Sequence, residues 1–232
     1  MASNMKIELA AEKDLPDLAA IINPAFQNVP AEVLMFGTTS PETLIHVAAR
    51  HQEAWRIHAA ESSLPCAIKC VRTDPDTGAQ TIAGCAEWFM FDRERLPETY
   101  AEGSYLLNAS WMTDDAARAK VLAFNKPVIE KHKHWMGSRP HAVLRYMAVA
   151  PEWRRKGIAR MCVQWGVDRC KELGIPAYLE ASDEGAPVYA RLGFEKCDIV
   201  ETYWEEERFA YPVMIWWPEG MERRPVLEKK QS

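Results

Sequence analysis

The stretch HAVLRYMAVAPEWRRKGIARMCVQWGVDRCKELGIPAYLEAS, residues 141–182, changes its periodicity twice. Its first ten residues are strongly β-prone, the run from about Arg154 follows a helical pattern closed by Gly174, and PAYLEAS returns to strand character. The pattern predicts a β-α-β unit. At the junction of strand and helix, Arg154, Arg155 and Lys156 are followed by Gly157, Ile158, Ala159 and Arg160. A helix amino terminus carries unpaired N–H groups and the positive end of the dipole, so it favours an anion. Small residues at 157 and 159 let anion oxygens approach the backbone, and the surrounding cations add to the field. The arrangement suits a pyrophosphate, although an Arg-x-x-Gly-x-Ala string alone is equally compatible with a solvated basic turn capping a surface helix.

Working outward, GAPVYARLG reads as a short helix, followed by a strand from Phe194 to about Tyr203 and a closing strand RFAYPVMIWW. Upstream, KIELA is a strand, and DLPDLAAIIN is a helix with Asp14 placed to cap it, Pro16 in its first turn and Pro24 as its stop. Ser40 and Pro41 open a longer helix, SPETLIHVAARHQEAWRIHAAE. CAIKCVRT and TIAGCAEWFMF, joined by DPDTGAQ, form a β-hairpin signal. Residues 92–140 are charged and then helical from about Thr113, with Pro127 marking a kink or boundary. They read as an insertion in a single domain, either a substrate lid or a helix that completes the core. The end of the chain, from about 219, is expected to fray.

With 232 residues and 48% hydrophobic content, one domain can bury a sizeable core. A net charge of −5 argues against a nonspecific nucleic-acid or membrane-surface binder, which needs a net basic field. No apolar core of signal-peptide length occurs at the amino terminus and no run is long enough to span a bilayer, so the expectation is a soluble cytoplasmic protein. The six cysteines, at 66, 70, 85, 162, 170 and 197, match no zinc or redox spacing and read as reduced thiols. His132 and His134 read as a solvated helix face, and no metal is expected. The absence of Gly-x-Gly-x-x-Gly and Gly-Lys-Ser/Thr turns disfavours Rossmann and P-loop nucleotide binders.

Residues 144–194, LRYMAVAPEWRRKGIARMCVQWGVDRCKELGIPAYLEASDEGAPVYARLGF, resemble the core of the GCN5-related N-acetyltransferase (GNAT) superfamily. Arg154, Gly157 and Ala159 match its Arg/Gln-x-x-Gly-x-Gly/Ala signature for acetyl-coenzyme A, and PVYARLGF matches its later tyrosine-bearing helix. The resemblance implies an α/β fold: a mixed, mostly antiparallel sheet of about six or seven strands, splayed near the cofactor and flanked by helices. It implies direct transfer from acetyl-coenzyme A to a primary amine, with coenzyme A as product. It places Met147, Ala148 and Val149 along the pantetheine arm, and after a strand bulge it makes the backbone N–H of Ala148 or Val149 the donor to the acetyl oxygen. Around the signature, Arg155, Lys156, Ile158 and Arg160 complete the phosphate cradle. Two departures stand out: alanine replaces the commoner glycine at 159, and the family's Asn after the later strand is missing, so Ser182 rather than Asp183 would supply that polar contact. Tyr189 falls on the position of the family's general acid, and a phenol with an ordinary pKa of about 10 stays protonated at neutral pH. A core tyrosine packed under Phe194 is the alternative reading of that residue.

The base is less constrained. Glu87, flanked by apolar residues in AGCAEWFMF, is either a carboxylate with a raised pKa facing the acceptor or an outward strand charge. Glu180 in YLEAS lies at a strand end, where an ion pair is the ordinary role; His141, Tyr146 and a water chain are weaker options. Trp88, Trp111, Trp135, Trp204, Trp216 and Trp217 fall on segments that surround the acceptor cleft in this fold, and aromatic walls there could hold a planar or cationic amine. Asp92, Glu94 and Glu205 to Glu207 read by default as a solvated acidic face. With no peptide-binding module in view, the expected acceptor is a small-molecule amine. Two matters stay open: a noncatalytic acyl-coenzyme A sensor on the same fold, and pairing of strand edges into a homodimer.

Overall fold

In the computed structural model, which describes residues 4–100 and 109–226, the chain runs β1 (Met5–Leu9), α1 (Leu15–Ala25), α2 (Pro30–Phe36), α3 (Pro41–Glu61), β2 (Ala67–Thr73), β3 (Gln80–Phe91), α4 (Pro97–Tyr100), α5 (Asp115–Trp135), β4 (His141–Val149), α6 (Ile158–Leu173), β5 (Ala177–Glu180), α7 (Ala186–Arg191), β6 (Glu195–Trp204) and β7 (Glu207–Trp216). The seven strands form one mixed sheet in the order β1-β2-β3-β4-β5-β7-β6. Every neighbouring pair is antiparallel except β4 and β5, the two strands of the β-α-β unit.

Local chemistry sets most helix ends. Ser40 Oγ accepts the Thr43 N–H at 3.1 Å to open α3, and Asp114 Oδ1 accepts the N–H groups of Ala116 and Ala117 to open α5. Asp14 does not cap α1: its carboxylate accepts the Ala11 N–H and pairs with the Lys69 ammonium at 2.8 Å. Helix α1 ends at Ala25, one residue past Pro24, and Pro127 marks no boundary, since it lies inside α5. Helix α2, bracketed by Pro30 in its first turn and Gly37 at its end, has no counterpart in the sequence reading. The stretch expected to fray is tethered as far as Val226, through Arg139 to the Arg224 carbonyl and Val226 N–H to the His134 carbonyl.

Side chains alternate along the strands and divide the core between the two faces of the sheet. On one face α6 and α7 cover a cluster that includes Ile68, Trp88, Leu144, Ile158, Val163 and Tyr189. Helix α6 lies so close that a Cβ on Gly166 would sit 2.1 Å from the Trp88 ring, whose Nε1–H donates to the Cys162 carbonyl. On the other face α1, α2 and α3 cover Cys85, Phe89, Tyr146 and Ala148. Beyond them Met136, Tyr178, Val200, Val213 and Ile215 form a third cluster, with Val128 and Trp135 of α5 packed against it. Helix α5, within the stretch expected as an insertion, thus covers the core of the β5-β7-β6 half and also lines a cleft beside β4 and β5. All six cysteines are free thiols, and burial pushes Cys66 and Cys170 up to about 12. No helix among the described residues is long and apolar enough to cross a membrane.

The strands that part in the middle of the sheet position the site. β4 and β5 pair only at Ala142 with Ala177 and Val143 with Tyr178. Beyond that point β5 stays on β7 and β4 on β3, so the facing edges of β4 and β5 diverge.

Candidate active site

The α6 end of this gap is the basic turn. Gly157 caps α6 in a left-handed conformation (φ 85°), and a Cβ built on it would meet nothing within 4 Å. The turn is therefore open toward the side from which an anion would approach the helix N–H groups. Arg155 is also left-handed (φ 60°), which costs a non-glycine residue about 1–2 kcal/mol and helps wind the turn into an anion-accepting concavity. Arg154, Arg155, Lys156 and Arg160 are exposed and make no ion pair among the described residues. Lys156 rests on the Trp153 ring at 4.3 Å. Ile158 is buried beneath the turn and Ala159 is half-buried. This donor set, open space over a glycine and uncompensated positive charge at a 16-residue helix, fits a pyrophosphate.

The edge of β4 supplies the next part. Ala150 donates its N–H to the Ala83 carbonyl, so Gly84 and Val149 form a non-hydrogen-bonded pair and Ala148 turns its N–H onto β3. Met147 and Val149 then direct their backbone groups toward the gap, where the Val149 carbonyl accepts from Arg154 Nε at 3.4 Å. Of the two amides expected to face an acetyl oxygen, Ala148 is thus committed to the sheet, while Val149 and its neighbour Met147 are not. The bulge lies earlier than expected: the register steps from Glu87–Tyr146 to Trp88–Leu144, leaving Arg145 as the extra residue. A bulge breaks side-chain alternation, and here it sets Arg145 and Tyr146 on the same face.

Both of those side chains line a cleft of about 150 Å³ on the face opposite α6, bounded by the α1–α2 segment, by α5 and by the parting strands. Two carboxylates enter it, Glu32 from α2 and Glu180 from the end of β5. Burial pushes Glu32 above the usual carboxylate range, although Tyr146 Oη donates to it at 2.8 Å and pulls it partly back. Burial pushes Glu180 up to about 7; the nearby Tyr178 phenol eases its charge, yet neither Glu180 Oε1 nor Tyr178 Oη completes a hydrogen bond. Glu180 makes no ion pair among the described residues, contrary to its expected role. Glu32 escaped the sequence reading because α2 did; the bracket from Pro30 to Gly37 was the signal that could have found it.

Glu87 requires correction on both of its readings. It is neither outward nor part of the cleft, but 1% exposed behind β4. Its Oε1 accepts from Trp55 Nε1 at 2.6 Å and contacts His51 Nδ1 at 2.7 Å, and its Oε2 lies 3.5 Å from Arg145. Burial works against its charge, but His51, Arg145 and Trp55 together outweigh burial and hold Glu87 below the usual carboxylate range. Met by these partners, Glu87 is a counter-charge to Arg145, the extra residue of the bulge.

Other expectations shift with the geometry. The cleft is walled by Phe26, Tyr100, Tyr146 and Tyr178, and none of the tryptophans lines it; Trp88 is under α6 and Trp111 stacks on Phe36 at 5.6 Å. His132 is half-buried rather than on an open helix face: it packs against Tyr178 at 4.8 Å and its Nε2 lies 3.1 Å from that of His141. Because His141 Nδ1 faces the Arg139 carbonyl, which can only accept, His141 Nε2 is the acceptor and His132 Nε2–H the donor. Burial keeps both neutral, His141 down at about 3. No group of three metal-ligating side chains occurs among the described residues. The acidic residues Asp92, Glu94 and Glu205 to Glu207 lie outside the cleft. Ser182 is exposed, and its Oγ accepts the Gly185 N–H in the turn to α7. Tyr189 packs against Phe194 at 5.9 Å in the same cluster as Ile158, and burial pushes its phenol up to about 12.

The sheet is thus opened between β4 and β5, with the basic turn of α6 on one side and, on the opposite face, a small, mainly apolar cleft that two carboxylates enter. A profile of the acetyltransferase (GNAT) family matches residues 40–194, more than half of the chain, and the chain belongs to that family. Among solved structures it is similar to a phosphinothricin acetyltransferase of the GNAT superfamily from Sinorhizobium meliloti in complex with acetyl-coenzyme A, with 17% identity, TM-score 0.55 and coverage of 96% of this chain and 94% of that one. It is similar also to yncA from Salmonella typhimurium with its cofactor acetyl-coenzyme A (12% identity, TM-score 0.54, 97% and 100% covered) and to an agmatine N-acetyltransferase (11%, 0.58, 92% and 99%). These identities speak for the fold alone. In sequence, 43 residues are 40% identical to the probable acyltransferase SID5 of Ajellomyces capsulatus, a match that spans 18% of this chain and 32% of that protein.

Proposed function

We propose that this protein is an N-acetyltransferase that moves the acetyl group of acetyl-coenzyme A directly to a primary amine of a small molecule. The observation that carries the reading is the continuity of the site: the open cradle at Gly157, the free edge of β4 and the cleft of Glu32 and Glu180 follow one another along the gap between β4 and β5. Acetyl-coenzyme A supplies the activated acyl group as a thioester. The α6 N–H groups with Arg154, Arg155, Lys156 and Arg160 hold its pyrophosphate, and the edge of β4 at Met147 and Val149 aligns the arm as a strand would. An amide of that edge, Met147 or Val149, is oriented to donate to the carbonyl oxygen as negative charge develops on it. Tyr189, protonated at neutral pH, is the proton donor for the departing sulfur. The small volume of the cleft favours a small acceptor over a folded protein surface.

Isothermal titration tests the reading, with acetyl-coenzyme A against desulfo-coenzyme A and ATP, and with Gly157→Trp as control. Binding of both coenzyme A forms in preference to ATP, lost in Gly157→Trp with circular dichroism unchanged, supports it. A well-folded wild-type protein that binds neither coenzyme A form refutes it.

A further inference from the structure

We infer that the acceptor is a monoamine on a short apolar chain, about four or five carbons long, that carries no second charged group. The inference rests on the acetyltransferase reading and names the substrate class for the same site. The walls of the cleft, its charges and its volume carry it.

The walls come from separate elements and are mainly apolar. Phe26 enters from the end of α1, Val128 and Ile129 from α5, Val143 and Tyr146 from β4, and Tyr178 from β5. The rings among them already pack on neighbours, Phe26 edge-on to Tyr146 at 5.0 Å and Tyr178 against His132 at 4.8 Å, so the lining is a packed surface. An alkyl chain laid against it is stabilised by leaving water.

Most charged groups at this surface are engaged within the protein. Arg95 donates to both oxygens of Glu61 at 2.9 and 3.0 Å and to the Thr99 carbonyl at 2.9 Å, and Arg145 faces Glu87. Glu32 accepts from the Tyr146 hydroxyl, and His132 is held neutral against His141. Lys133 makes no ion pair among the described residues. When all are ionised, the cations Arg95, Lys133 and Arg145 stand against the carboxylates Glu32, Glu61, Glu87 and Glu180, which leaves one negative charge for the one ammonium of a monoamine. A second charge on the acceptor would enter mainly apolar walls with no opposite charge left over to meet it, and burying an unpaired charge is costly.

The volume sets the length. At about 150 Å³ the cleft is well below the about 300–1,000 Å³ of sites for drug-sized ligands. At about 30 Å³ for each water-sized group it takes about five of them, a chain of four or five carbons with its nitrogen toward the gap between β4 and β5.

The test is a homologous series on the wild-type protein, assayed by thiol release from acetyl-coenzyme A. The panel is ethylamine, propylamine, butylamine, pentylamine and heptylamine, against 1,4-diaminobutane, 1,5-diaminopentane, 4-aminobutanoate and 5-aminopentanoate. Simple alkylamines share nearly the same basicity, so the series reads the cleft and not the nitrogen. The expected kcat/KM rises about 4-fold for each added methylene as far as butylamine or pentylamine and has levelled or fallen at heptylamine. Diamines and amino acids of the same chain length should be about 100-fold poorer or worse. Ile129→Ala widens the cleft and should move the optimum to a longer chain. Ile129→Asp puts a carboxylate into the α5 wall and, with circular dichroism unchanged, should narrow the gap between butylamine and 1,4-diaminobutane about 10-fold or more. A flat series, a diamine or amino acid preferred over the alkylamine of its own length, or an optimum that Ile129→Ala leaves in place overturns the inference, and so does acetyl-coenzyme A binding with no turnover of any amine in the panel. Calorimetry separates the two levels: wild-type protein that fails to bind acetyl-coenzyme A removes the acetyltransferase reading itself, whereas intact binding confines any failure to the acceptor class.

Discussion

Replacing Glu87 by glutamine keeps the side-chain volume and removes the charge, and the structure says what this costs. His51 and Arg145 face Glu87 with side chains only 1% and 8% exposed, so water replaces the lost carboxylate poorly. Trp55 Nε1–H keeps an amide oxygen as acceptor only if the new side chain turns its NH2 toward Arg145, where a donor is already aimed. Removing one member of a buried ion pair costs about 3–5 kcal/mol, because the other charge is left uncompensated. For a domain of this size each kcal/mol shifts Tm by about 2–4 °C, so Glu87→Gln should melt about 6–20 °C below wild type. The pH dependence carries the same signature. A carboxylate whose folded pKa is lowered contributes stability that is present above the unfolded carboxylate pKa and is lost as pH falls through the folded value. Wild type should therefore lose more stability than Glu87→Gln as the pH is taken below the ordinary carboxylate range. Urea denaturation followed by circular dichroism at pH 7 and at acid pH measures both, and thiol release per folded molecule at low temperature should stay within several-fold of wild type. A variant as stable as wild type whose turnover falls 100-fold would refute the structural reading and return Glu87 to catalysis.

The remaining expectations are simpler. Tyr189→Phe should slow turnover about 100-fold with acetyl-coenzyme A affinity unchanged by calorimetry; an unchanged rate would remove Tyr189 as proton donor. Tyr146→Phe takes the hydrogen bond from the buried Glu32 carboxylate, and should cost about 1–3 kcal/mol in urea denaturation at pH 8, less at low pH where Glu32 is protonated. Gly166→Ala drives a methyl group into the Trp88 ring, and the overpacking should cost about 1–3 kcal/mol, visible as a lowered urea midpoint with unchanged slope.

Legibility followed the range of the interactions. The α3 start, the α6 stop at Gly174 and the hairpin of β2 and β3 depend on residues a few positions apart, and their letters announced them. Asp14 obeys the same local rules and misled, because tertiary packing overrode local preference and turned it to Lys69 on a strand; Pro127 likewise set no boundary, α5 continuing past it while packed on β6 and β7. The cradle was legible for the same reason as the helix ends, since Arg154, Gly157 and Ala159 act through one turn of backbone. The acceptor side was not, because its walls come from α2, α5, β4 and β5, and Glu32 and Tyr146, 114 positions apart, meet only in three dimensions.

By itself the sequence determined the β-α-β unit and the basic glycine turn that opens its helix, since a glycine free to adopt positive φ and adjacent cations need nothing beyond their own neighbours. Only the tertiary structure decided how each carboxylate is partnered. Glu87 and Glu180 both lie on strands among apolar neighbours, and no local pattern separates them. Burial desolvates each, but Glu87 is met by His51, Trp55 and Arg145 from elements distant in the chain, while Glu180 has the Tyr178 phenol beside it and no cation. The balance between desolvation and pairing, which sets the two carboxylates on opposite sides of the ordinary range, exists only once the chain has folded.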